Sequence, residues 1–206
     1  MLLTVDTSTR TFSLSLFHEG ELAHIELHQQ LALSQQIVGV CDFMLARLGR
    51  SVDELESAYA GLGPGSFTGT RIGLSFVNTL SQILDIPLLG ISSLDLLAIT
   101  GGTWYNSVVS FLRSRRSEVY AAYYEEGVRK TDYLALGHED FLAFLEKHAP
   151  KHIVAPEEDY RELKMGDVAG EVHHAFPSSR SLYTVARKRG LTPRNKYLKP
   201  IYVRGV

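Results

Sequence analysis

The chain has 206 residues, 45% hydrophobic and 21% charged, which is enough apolar material for a buried core and excludes a disordered chain. Its net charge of −2 excludes a protein that coats nucleic acid over its whole surface, and its one cysteine, Cys41, excludes an intrachain disulfide framework or a thiolate zinc cluster. Residues 1–103 carry four Arg, no Lys and ten acids, whereas residues 104–206 carry seventeen basic and thirteen acidic side chains, and no acid follows Glu171. The change of sign predicts two domains, 1–103 and 104–206, the second ending in a basic tail.

Leu2–Asp6 is apolar and runs into Asp6-Thr7-Ser8-Thr9-Arg10, a cluster suited to side-chain-to-backbone turns. Phe12–Phe17 alternates Ser13 and Ser15 with Phe12, Leu14 and Leu16, a strand pattern. Glu19-Gly20 makes a turn before a third strand over Leu22–Leu27. Leu33–Leu48 is helical, Ser57–Leu62 is a short strand, and Ile72–Leu84 is a second helix after a Gly-rich loop. Leu88–Ile91 is a buried strand, and Ser92 or Ser93 caps a helix over Leu94–Ile99. Gly101-Gly102 breaks the chain.

The second half repeats the order. Ser107–Leu112 is a strand, Arg113–Ser117 a polar turn, Glu118–Tyr124 a strand, Glu126-Gly127 a turn and Val128–Leu134 a strand. A helix holds Phe141–Leu145, and Ile153–Ala155 is a strand. Both halves therefore read as βββαβ, with Glu-Gly turns at matching points. This is the plan of the actin-like (ASKHA, ribonuclease H-like) fold; the alternative is an ordinary two-layer α/β domain. The first ten residues lack the basic region of a signal peptide. The apolar stretch Ile83–Ile91 is broken by Asp85 and Pro87, so no membrane span is expected, and the cytoplasm is the expected compartment.

The most distinctive stretch is Gly63-Pro-Gly-Ser-Phe-Thr-Gly-Thr-Arg-Ile-Gly73. It has no Lys in a P-loop frame, and no Gly-x-Ser-x-Gly elbow occurs in the chain. Its glycines either expose backbone N–H groups to an anion or let the chain turn sharply into a helix capped by Ser66, Thr68 or Thr70; the second reading is favoured. Asp6-Thr7-Ser8 stands where an actin-like ATPase grips phosphate. The matching turn in the second half, Arg113–Ser117, offers neither an Asp for Mg²⁺ nor a Gly for close approach. His24 and His28 lie about 13 Å apart on a strand, too far to share a metal. His173 and His174 would point to opposite faces. All four read as packing or surface residues, and no metal site, cofactor site or catalytic residue is expected.

The apolar arcs of both helices are wide, roughly 160° for Leu33–Leu48 and roughly 140° for Ile72–Leu84, with Phe43 and Leu74 beyond them. Either the helices are buried between layers or part of each face meets another chain. The basic end carries Tyr183, Tyr197 and Tyr202 among its cations, which suits RNA but more commonly marks a solvated tail.

The segments Leu3-Thr-Val-Asp-Thr-Ser8, Gly63–Gly73, Arg115-Arg-Ser-Glu-Val-Tyr120 and Pro200-Ile-Tyr-Val-Arg204 resemble the TsaB (YeaZ) family. The resemblance implies an actin-like fold and a role in making threonylcarbamoyladenosine beside the tRNA anticodon. It also implies partners: the catalytic paralogue TsaD, which transfers the threonylcarbamoyl group using a metal held by a His-x-x-x-His pair, and TsaE, a P-loop ATPase. ATP is used by that complex and is not expected to be hydrolysed by this chain. The positions of the His pair fall here on Ser93 and Leu97, and Leu97 cannot bind a metal. Arg113 stands where the family usually has Asp. By the same resemblance the two N-terminal helices pair with TsaD or with a second copy. The expected interface comprises Leu33, Ile37, Val40, Phe43 and Met44 on the first helix. On the second, with the loop before it, it comprises Phe67, Arg71, Leu74, Val77, Asn78 and Ser81. The competing readings are a stand-alone actin-like ATPase or small-molecule kinase, and a peptidase, for which no local signature exists.

Overall fold

The structure, a computed structural model, describes residues 1–28, 33–100, 106–114, 118–164 and 168–203. Strand β1 (Leu2–Asp6) is the centre of the first sheet because its two edges are used differently. One edge pairs antiparallel with β2 (Thr11–Phe17), which continues antiparallel into β3 (Glu21–His28). After helix α1 (Leu33–Arg47) the chain returns as β4 (Ser57–Gly61), parallel to β1 on its other edge. Helix α2 (Phe67–Leu84) then leads to β5 (Leu88–Ile91), parallel to β4. The strand order is β3-β2-β1-β4-β5.

Helix α3 (Ser93–Thr100) opens the second unit. There β6 (Ser107–Arg113) takes the place of β1, and β7 (Val119–Glu125) pairs with it antiparallel. The short strands β8 (Val128–Arg129) and β9 (Leu134–Leu136) both pair antiparallel with β7. Helix α4 (His138–His148) precedes β10 (His152–Ala155), parallel to β6. Helix α5 (Glu157–Glu162) precedes β11 (Glu171–His174), parallel to β10. The order β11-β10-β6-β7-β8 is that of the first sheet with the same pairing directions. The duplicated actin-like plan read from the sequence is therefore present in both units. The Glu-Gly turn of the second unit also has a physical form: Glu126 and Gly127 both have positive φ, a two-residue type I′ hairpin.

The division of the chain differs from the expected 1–103 and 104–206. Met1–Ser92 and Ser178–Pro200 form one compact unit, and Ser93–Pro177 with Ile201–Val206 the other. The segment read as a basic tail contains helix α6 (Ser179–Arg189), which packs on β1, β2 and β4 of the first unit. Ser178 caps it, with Ser181 closing a reciprocal capping pair, and Gly190 ends it at φ +62. Leu182, Val185 and Ala186 are buried, an i, i+3, i+4 stripe hidden in the sequence among serines and cations. Val128–Leu134 is not one strand but β8 and part of β9, and α2 starts five residues before the expected Ile72 because Ser66 accepts from the Gly69 N–H.

The first sheet is covered on two chemically different faces. Leu3, Val5, Phe12, Leu14 and Leu16 meet Ile37, Cys41, Met44 and Leu45 of α1 and Leu74 and Val77 of α2. Each such side chain stabilises the fold by about 1.5–3 kcal/mol on burial. The other face holds Thr4, Asp6, Ser13 and Ser15, all fully buried. Residues 194–198 strap this unit along its edge: Leu88 N–H donates to the Asn195 carbonyl at 2.7 Å, and Asn78 binds both backbone groups of Leu198.

Candidate functional site

The turn after β1 and the Gly-rich stretch form one packed structure. Gly65, just before the N-cap of α2, and Gly69 and Gly73 within the helix are spaced four residues apart and all abut the turn after β1. A Cβ on Gly65 would stand 2.1 Å from the Ser8 carbonyl oxygen, on Gly69 2.2 Å from the Thr7 carbonyl oxygen, and on Gly73 2.2 Å from Thr7 Oγ1. Ser66 N–H donates to the Ser8 carbonyl at 2.7 Å. The glycines are thus explained by close approach of the chain's own turn, the structural reading of the motif. Gly69→Ala should destabilise the protein by about 1–3 kcal/mol, since the Thr7 backbone must move. A denaturant midpoint equal to that of the parent would refute this.

Asp6 ends β1 beneath this turn and is completely buried. Its Oδ1 accepts from Ser8 N–H at 3.1 Å and Ser8 Oγ at 2.9 Å, while Oδ2 has no hydrogen-bond partner among the described residues. A Cβ on Gly61 would fall 1.9 Å from that Oδ2, so the carboxyl lies against bare backbone. Burial, opposed by the two Ser8 hydrogen bonds, pushes its pKa up to about 6. A carboxyl packed in this way does not reach a hydrated Mg²⁺ unless the turn opens. The matching turn of the second unit, Arg113–Ser117, is partly outside the described residues, which omit 115–117. Arg113 donates its backbone N–H to Asp159 at 2.9 Å and forms an ion pair with Glu162.

A serine–histidine–carboxylate constellation does exist. Ser15 Oγ lies 2.8 Å from His24 Nδ1, and His24 Nε2 lies 3.5 Å from Glu26. Ser15 is fully buried and also bonds Ser179 Oγ at 2.7 Å, and Ser13 Oγ accepts from the Ser179 N–H at 2.8 Å. This cluster fastens the start of α6 to β2 and offers no nucleophile to a substrate. Burial, ahead of the nearby Arg180 charge, lowers the His24 pKa, in keeping with a packed neutral imidazole. Cys41, also buried, has its thiol pushed up to about 12 and is not a nucleophile either.

The residues expected at a partner interface divide by burial. Ile37, Met44, Leu74, Val77, Asn78 and Ser81 are buried within the first unit. Asn78 and Ser81 hold the backbone around Leu198 and Ile86. Leu74 in particular packs within the first core and does not add to the exposed apolar surface. Leu33 and Val40 are half-buried. Phe43 is 58% exposed and Phe67 50%, with the Arg71 guanidinium 3.7 Å above the Phe67 ring. Beside them the helices carry the exposed Val38 and Ile83 and the half-buried row Ile72, Phe76, Leu80 and Leu84, all members of the wide apolar arcs. That row follows an i, i+4 spacing. It is the part of the wide apolar arc that the chain's own core does not fully cover.

Ser93 and Leu97, one turn apart on α3, are both fully buried. Most basic residues of 178–199 have local tasks. Arg180 forms a two-pronged bond to Glu21 at 2.6 Å, Lys196 meets Asp85 at 2.5 Å, and Arg187, Lys188 and Arg189 fill the last turn of α6 against its dipole. Arg204 lies outside the described residues. Among the described residues no helix is long and apolar enough to cross a membrane.

A family model described as TsaD, tRNA N6-adenosine threonylcarbamoyltransferase, matches residues 22–161. The chain is 34% identical over 121 residues to the tRNA threonylcarbamoyladenosine biosynthesis protein TsaB of Haemophilus influenzae, covering 58% of this chain and 51% of that protein. It is 32% identical over 129 residues to the protein of the same name from Escherichia coli, covering 60% and 54%. The chain thus matches about half the length of these curated relatives. Among solved structures, YeaZ from Pseudomonas aeruginosa superposes with a TM-score of 0.78 at 24% identity, over 98% of this chain and 99% of that one.

Proposed function

This chain belongs to the TsaD family, and from that membership we propose that it is the non-catalytic, accessory subunit of a system that places threonylcarbamoyl groups on tRNA adenosine. It acts by binding a catalytic paralogue and makes no bond itself. The observation that carries the reading is the meeting of family membership with Ser93 and Leu97, buried where the family resemblance places a metal-binding histidine pair. A buried hydroxyl and an isobutyl group cannot supply two imidazoles. The relatives named TsaB, a tRNA threonylcarbamoyladenosine biosynthesis protein, support the pathway.

The docking face is the apolar fringe of α1 and α2, with Phe43 and Phe67 as anchors. Large aromatic side chains exposed beside a half-buried apolar row give the buried centre that an interface needs. A second copy of the chain would use the same face in the absence of the catalytic partner. A P-loop ATPase joins the assembled pair. Cations of α6 and residues 194–199 are largely engaged within the chain, so contact with tRNA falls to the partner. The site is a cytoplasmic complex.

Reconstitution tests this reading. Threonylcarbamoylation of tRNA, measured with the other components present, should fall to background when this chain is left out and return when it is added. Activity independent of the chain would overturn the proposal. Turnover of ATP by the isolated chain would instead favour the stand-alone enzyme.

A further inference from the structure

The geometry points to a divalent transition-metal site in the second unit, built by His152 of β10 with Glu171 and His173 of β11, of the class that binds zinc. The two strands are parallel neighbours in a register that sets His152 beside Glu171 and Val154 beside His173. Residues 171 and 173 share one face of β11, so both side chains stand next to His152. His174 points the other way and packs its ring on Tyr160 at 5.6 Å. The register is locked: Glu171 N–H donates to the Lys151 carbonyl at 2.8 Å, and Gly170, at φ +118, lets the backbone pass the Pro150 carbonyl, 2.7 Å from where a Cβ would be.

Three potential ligand atoms converge as a result. His152 Nδ1 and His173 Nε2 are 3.0 Å apart, and Glu171 Oε2 lies 3.6 Å from the first and 3.8 Å from the second. An ion bonded to two such atoms at about 2.0–2.1 Å with a tetrahedral angle holds them about 3.3 Å apart. The three separations bracket that value, and a point about 2.0 Å from all three atoms exists. Without a metal, one of these two nitrogens carries the proton it donates to the other; to bind an ion that ring shifts its proton to its other nitrogen, so that both lone pairs face the metal.

The donor set decides the class of metal. Two imidazoles and one carboxylate suit zinc and its transition-metal neighbours and not Mg²⁺ or Ca²⁺, which prefer oxygen. The two rings are mostly buried while Glu171 is 70% exposed, so the fourth position faces water and is open to a solvent molecule or a partner's side chain. The site lies among residues unrelated to the proposed docking face, so it stands or falls independently of the proposed function.

Zinc titration of the untagged, metal-stripped full chain by calorimetry tests the inference. One Zn²⁺ should bind per chain, and saturating Zn²⁺ should raise the melting temperature. His152→Asn and His173→Asn should each weaken binding by about 100-fold or more, and Glu171→Gln by about 10-fold or more. Because Glu171 is exposed, its variant keeps the metal-free melting temperature, so a lost site cannot be confused with a lost fold. His28→Asn is the control; it changes an exposed histidine on β3 that shares Glu26 with His24 and should leave binding intact. Absence of saturable binding, equal binding in the three ligand variants, or loss in the control would each overturn the proposal.

Discussion

Asp6→Asn should stabilise this protein at pH 7 by on the order of 3 kcal/mol, the largest gain expected from any single substitution discussed for it. The carboxyl is completely buried, and its pKa is raised from 3.8 to about 6. A group whose folded pKa is raised binds its proton more tightly in the fold than in the unfolded chain. The stability that goes with that proton is fully present below pH 3.8 and is lost as the pH rises through about 6. Above that point the fold carries a buried, half-satisfied carboxylate. Asparagine keeps the shape and the acceptor that Ser8 uses, and it mimics the protonated acid. Denaturant melts across the acid to neutral range should therefore show parent and variant alike near pH 4. The gap should open between pH 4 and 6 and stay constant above. A gap independent of pH, or an Asn variant less stable at pH 7, would show that Asp6 is not held as a buried acid.

The second large effect concerns assembly. Phe43→Glu combined with Phe67→Glu should reduce pairing with the catalytic paralogue by at least about 100-fold, because aromatic anchors carry most of the energy of such interfaces. The double variant should remain a folded monomer, since both rings are at least half exposed. Leu74→Glu gives the contrasting result. That side chain is buried against the first core, so a carboxylate there should unfold the unit and not merely free a surface. Gel filtration with the partner, read beside circular dichroism, separates the two cases. Unchanged co-elution of the Phe43/Phe67 variant would remove the α1–α2 face from the proposed function.

Much of the fold is legible in local patterns. The alternation of Phe12, Leu14 and Leu16 with Ser13 and Ser15 marks β2, and the repeated Glu-Gly turns mark the duplication. The candidate site is less so. A helical arc states how wide an apolar face is, not which margin of it the core uses. Leu74 and Phe76 are two residues apart, and only packing decides that the first is core and the second fringe. Helix α6 escaped because its apolar stripe is three residues deep in a segment dominated by cations. His173 reads in the sequence as a packing or surface residue and is not linked to His152 and Glu171, because eighteen residues lie between those two and β11 gives no strong strand signal.

The sequence by itself determined the fold class, because the order of elements depends on residue identity and short-range spacing, and its motifs carried the family resemblance. The net charge of −2, split as −6 and +4, led to a reading of two domains divided at residue 103, and the compact units divide the chain elsewhere. Tertiary structure alone decided where the basic end belongs. Residues 178–200 return to the acidic first unit, where Arg180 reaches Glu21 and Lys196 reaches Asp85. Charge counted along the chain is blind to such returns, since Coulomb attraction depends on distance in space and not on separation in sequence.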